Sequence, residues 1–171
     1  FIQDLNGDAA PRRLAISDQG ANTARWGSDG ALYFLSGQSG TSQIWKTDAT
    51  GADATGADAT QITDLPLDVN AYSLSADASK IAVSLAVYPD CDDLACSVAR
   101  GTEMAALKST GQVYDRMFVR HWDTWADGTQ NHLFVVNTDG SGAPVWVTHG
   151  FDGDTPSKPF GDCLLYTSDA A

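Results

Sequence analysis

Four short β-rich runs, separated by turns rich in Gly, Asp and Ser, occur twice in this chain in the same order, and this recurrence narrows the fold more than any other feature. In the first unit, residues 23–26 (TARW) lead into the turn Ser28-Asp29-Gly30, followed by 32–35 (LYFL), a Gly-bounded turn at 37–40, 43–46 (QIWK) and 61–65 (QITDL). In the second, 72–74 leads into Ser75-Ala76-Asp77, followed by 80–87 (KIAVSLAV) and, after a long insertion, 132–137 (HLFVVN) and 145–148 (VWVT). The first residues, 1–5 (FIQDL) and 12–16 (RRLAI), match the last two strands of a preceding unit. Ile2 and Ile44 stand 42 positions apart, and Trp26 and Leu74 stand 48 apart. Four-stranded units recurring at roughly 40 to 50 residues are the mark of β-propeller blades, small twisted sheets that bury their faces only against neighbouring blades. The pattern predicts an all-β chain: a partial β-propeller over residues 1–162, with about two and a half to three four-stranded antiparallel blades. An antiparallel sandwich is the alternative.

Within the second unit, an insertion over 88–112 has helical character. Asp92 or Asp93 is placed to cap a helix through Leu94 and Val98 toward Leu107. Gly101 weakens that helix, and 108–111 (KSTG) would end it. Residues 113–136 follow, with β-rich runs at 117–122 and 133–136 on either side of Ala126-Asp127-Gly128. An Asp-Gly pair between such runs predicts a β-hairpin. The loop 48–60 (DATGADATGADAT) repeats every five residues. It lacks the alternating acidic positions and closing Glu of a calcium loop, so it reads as a solvated hairpin loop.

Composition removes some functions. The chain carries 22 acidic against 10 basic residues, a net charge of −12, and its basic residues cluster only at Arg12-Arg13. Nucleic-acid binding requires a basic patch to neutralise phosphates and is excluded on that ground. No apolar run is long enough to span a bilayer. The sequence opens at Phe1, inside a strand-like run, so the true N-terminus is expected upstream and a signal peptide is not legible.

Residues with chemical potential are few. Cys91 and Cys96 form Cys-x4-Cys, which reads as a disulfide in an oxidising compartment or as two free thiols; no second Cys or His pair completes a metal site. His121 and His132 flank the expected hairpin turn, and with His149 they read as turn or rim histidines. No Gly-x-Ser-x-Gly elbow occurs, Ser141 lies in a turn, and no phosphate-binding or dinucleotide glycine pattern is present. Asp123, Asp127, Asp152 and Asp154 are possible acid–base carboxylates, but Asp127, Asp152 and Asp154 neighbour Gly or Thr, where Asp is an ordinary turn residue. Trp26, Trp45, Trp122, Trp125 and Trp146 fall on or beside strands, which predicts packing between blades. No cofactor and no metal are expected.

The stretch YDRMFVRHWDTWADGTQNHLFVVNTDGSG, followed by VTHGFDGDTPSKPFGD, resembles bacterial serine peptidases of the prolyl oligopeptidase family, nearest the dipeptidyl- and acylaminoacyl-peptidase-like branch. The resemblance covers most of the chain and is most specific at Arg120, His121, Trp122, Asp123 and Trp125, which are expected to be structural. It implies a propeller that precedes a C-terminal α/β-hydrolase domain and limits entry to short peptides. The chain's partners would then be that domain and the peptide substrates. The family's catalytic motifs have no match here, so no catalytic residue is carried over. Some members hold the substrate N-terminus with a Glu pair; Glu103 is the only glutamate in this chain. The resemblance further implies a periplasmic or secreted protein, in agreement with a Cys91–Cys96 disulfide. The alternative is a non-enzymatic periplasmic TolB-like propeller that binds a protein partner. The final nine residues, Cys163 to Ala171 (CLLYTSDAA), resemble a translated sequencing adapter and are expected to be non-native.

Overall fold

The computed structural model describes residues 1–8, 10–11, 14, 19–48, 59–115, 117, 119–121 and 124–156. Most of the tandem-repeat loop, most of RRLAI, Trp122, Asp123 and the last nine residues lie outside the described residues.

Two four-stranded antiparallel sheets form the body of the chain. The first is a meander of β1 (Asn22–Trp26), β2 (Leu32–Ser36), β3 (Gln43–Thr47) and β4 (Thr60–Gln61). The second contains β5 (Val69–Leu74), β6 (Lys80–Val87), β9 (Gln130–Asn137) and β10 (Val145–Trp146), in spatial order 5-6-9-10. Between β6 and β9 the chain leaves this sheet to form α1 (Leu94–Ala106) and a ribbon of β7 (Arg120–His121) and β8 (Thr124–Trp125), which pair only with each other. The excursion therefore runs from Tyr88 to Thr129, longer than the 88–112 expected from the sequence.

The sheets are equivalent residue by residue. Trp26 faces Leu32 as Leu74 faces Ile81; Phe34 faces Trp45 as Val83 faces Phe134; Trp45 faces Gln61 as Phe134 faces Trp146. In both, the first turn places a carboxylate over the amide two residues on, Asp29 Oδ1 accepting from Ala31 N at 3.2 Å and Asp77 Oδ1 from Ser79 N at 3.1 Å. Both turns then enter the left-handed region, at Gly30 (φ 78°) and Ala78 (φ 54°). In both, a threonine after the fourth strand replaces a ladder bond: Thr63 Oγ1 accepts from Ile44 N, and Thr148 Oγ1 from Leu133 N, each at 2.9 Å. These threonines end the runs QIT and VWVT that the sequence aligns.

One apolar core spans the two sheets, uniting Tyr33, Leu35 and Ile44 of the first with Val69, Tyr72, Ile81, Val83, Leu85, Val87 and Phe134 of the second. β2 is buried along its whole length, as its unbroken apolar run requires. Polar bonds fix the junction: Tyr72 Oη donates to Thr23 O at 2.8 Å, and Val69 N to Ser42 O at 2.8 Å. Gln43, fully buried, brackets the connector between the sheets. Its Nε2 donates to Leu65 O (3.1 Å) and Leu67 O (3.2 Å), and its Oε1 accepts from Thr63 Oγ1 (2.8 Å) and Leu65 N (3.0 Å).

Three expectations are corrected. No hairpin forms across Asp127-Gly128, because 133–136 belongs to β9 and is held between β6 and β10. Asp127 instead accepts from Thr129 N at 2.9 Å and steers the chain into β9. Of FIQDL only Ile2 takes part in a bridge. QITDL contributes only Gln61 to a strand and VWVT only Val145 and Trp146, since Thr63 and Thr148 replace the ladder with side-chain bonds. The expected helix does form, over Leu94–Ala106, and Gly101 does not interrupt it.

Candidate functional site

The ends of β2 and β6, the starts of β3, β5 and β9, and the excursion 88–129 lie along one edge of the two sheets. Residues of chemical interest gather there. Asp93 caps α1, its carboxylate accepting from Cys96 N at 2.7 Å, and Cys91 and Cys96 are joined by a disulfide across this first turn. Ser97, buried on the helix, accepts from Tyr88 N at 3.2 Å and so ties the helix to the end of β6. Arg100 pairs with Asp90 and lies over the Tyr88 ring, 5.0 Å from its centroid; the guanidinium holds the Asp90 carboxyl below its ordinary range. His149 Nε2 approaches Asp92 to 3.7 Å, linking the connector after β10 to the excursion.

Of the five motif residues, Trp122 and Asp123 are outside the described set. Arg120 and His121 form β7, and Arg120 lies over the Trp125 ring of β8 at 5.2 Å. Tyr114 stacks on the same indole at 6.0 Å, and Gln112 Nε2 donates to Ala126 O at 3.0 Å. The ribbon is thus held by one cation and one ring on Trp125, which remains 54% exposed.

His132 corrects a further expectation: it is neither a turn nor a rim residue but fully buried in β9. The register explains why, since His132 faces Leu85 at the position that Gln43 takes opposite Ser36. Its Nδ1 accepts from Trp146 Nε1 at 3.0 Å, and the two rings meet edge-on at 5.4 Å. Burial lowers its pKa from 6.5. Trp146 also packs on Phe134, at 4.9 Å. Trp26 is exposed, not packed between sheets. Asp152 accepts from Gln130 Nε2 (3.0 Å) and Asp154 from Asn131 N (2.7 Å); both serve the connector's geometry. Among the described residues no group of three or more His, Cys, Asp or Glu is placed to hold a metal, and no helix is long and apolar enough to cross a membrane.

The sequence did not single out Gln43, Thr63, Thr148 or the His132–Trp146 pair. The alignment of QIT with VWVT held the signal for the threonines; the buried polar pair at Gln43 and His132 becomes visible only when the strand register is known.

The arrangement defines a mostly β protein built from equivalent antiparallel four-stranded sheets with one short helix. No family model matches the chain. In sequence it is 27% identical over 161 residues to a dipeptidyl-peptidase 4 of Giardia intestinalis, covering 82% of this chain and 20% of that protein. In structure it is similar to an acylaminoacyl peptidase of Pyrococcus horikoshii (TM-score 0.47, 14% identity, 72% of this chain and 16% of that one). It is also similar to an acylaminoacyl peptidase in complex with Z-Gly-Gly-Phe-chloromethyl ketone (TM-score 0.46, 15% identity, 70% and 16%). The chain spans about one fifth of the length of the curated relative it matches.

Proposed function

We propose that the chain is the propeller portion of a serine peptidase, and that it governs the access of short peptides to an α/β-hydrolase domain encoded with it. The residue-by-residue equivalence of the two sheets carries this reading, because consecutive four-stranded meanders sharing one core are how propeller blades pack. The sequence match to a dipeptidyl-peptidase 4 supplies the enzyme class. On this reading residues 1–162 hold about two and a half to three blades, residues 163–171 are not native, and the catalytic groups lie elsewhere in the gene product. The Cys91–Cys96 disulfide supports a periplasmic or secreted setting. A TolB-like, non-enzymatic propeller is the competing reading.

The test compares the purified chain with the gene product that contains it, on chromogenic dipeptide and acyl-amino-acid substrates. Hydrolysis by the longer product and none by the chain supports the proposal. An inactive longer product that instead captures a protein partner favours the competing reading.

A further inference from the structure

His132 and Gln43 hold the same register position, are both fully buried, and both face the connector that leaves their sheet. Their chemistry differs. Gln43 offers a donor and an acceptor at every pH and satisfies both. His132 accepts the Trp146 indole proton at Nδ1, so that nitrogen must carry a lone pair and the ring's own proton sits on Nε2. Nε2 is buried without a hydrogen-bond partner among the described residues. An imidazolium carries N–H on both nitrogens and cannot accept.

We propose that His132 is an acid-sensitive latch: taking a solvent proton onto Nδ1 forfeits the Trp146 bond and releases β10, with the connector behind it, from β9. The edge strand is suited to this, since it has only two residues and its attachment depends on a few bonds around Trp146 and Thr148. The groups facing the ring are known. The connector presents Asp154 and the nearby Phe151 main chain, which favour the proton, and His149, which opposes it; burial opposes it most. β10 has no titratable residue, and the one charge on β6, Lys80, lies at its far end beside Asn137. The folded state therefore disfavours the protonated form, so stability at this site is present above about pH 6.5 and is lost as the pH falls below it.

Amide hydrogen exchange on the chain tests this with an internal control. Val147 N donates to Leu133 O in the second sheet (2.9 Å), and Ile62 N to Ile44 O at the equivalent place in the first (2.8 Å). After correction for intrinsic exchange, protection of Val147 relative to Ile62 should fall between pH 7.5 and 5. His132→Gln, which installs the residue of the first sheet, should abolish the fall, and His149→Gln should keep it. A constant ratio in the wild type, or the same fall in His132→Gln, overturns the proposal. Should His132→Gln not fold, the wild-type ring settles the matter: nitrogen shifts at pH 7.5 must show the proton on Nε2, and a proton on Nδ1 overturns the latch.

Discussion

Replacing Gln43 by leucine keeps the volume of a fully buried side chain while deleting the bracket over the inter-sheet connector. Thr63 Oγ1, Leu65 N, Leu65 O and Leu67 O each lose a bond to the side chain, while the exposed Thr41 Oγ1 loses one that water can replace. A buried polar group left unpaired costs about 1–3 kcal/mol. Taking about 1 kcal/mol for each of the first four, since Leu67 is only half-buried and can reach water, gives a loss of about 4 kcal/mol. The leucine methyls recover about 1 kcal/mol by burial, leaving about 3 kcal/mol. That is a large part of the 5–15 kcal/mol typical of a folded domain. Urea unfolding followed by circular dichroism measures the difference, and exchange of the Leu65 amide locates it. A loss under about 1 kcal/mol, with Leu65 still protected, would refute the claim that Gln43 holds the connector.

Other changes probe the remaining devices. Gly27→Ala should lower the melting temperature and cost about 1–3 kcal/mol, because the new methyl would run into Asp29 Oδ1 and come within 2.8 Å of the Tyr33 ring; calorimetry checks this. Asp77 should titrate at about 2 in carboxyl NMR, since the Ser75 hydroxyl and the Ser79 amide and hydroxyl stabilise its ionised form; Ser75→Ala should move it back toward 3.8. Because that pKa is depressed, the stability it contributes is present above pH 3.8 and declines as the pH falls toward 2. Reducing Cys91–Cys96 should cost about 2 kcal/mol on the loop-entropy scale and increase exchange in α1, while the β6–β9 ladder keeps its protection.

The repeated runs were legible because strand periodicity and turn chemistry are local. β6 was read with its observed bounds, and the Asp93 cap was one of two named candidates. The hairpin across Asp127-Gly128 was misread for the opposite reason. An Asp-Gly turn signal cannot disclose that residues 133–136 have a better partner in β6, more than 40 residues earlier, which leaves the intervening ribbon to pair with itself. His132 was misplaced because a histidine among polar neighbours looks solvated until the register places it opposite Leu85. Gln43 was overlooked because its worth lies in main-chain groups around 20 residues away.

The central claim is that this chain is a run of propeller blades joined to a peptidase domain. Sequencing the source gene through and beyond the codon for Asp162 tests it most directly. The account expects further four-stranded units at 40 to 50 residue spacing, then a Gly-x-Ser-x-Gly elbow with a later Asp and His. Codons for Cys163 to Ala171 followed directly by a stop would contradict it, and would leave a binding module in place of an enzyme.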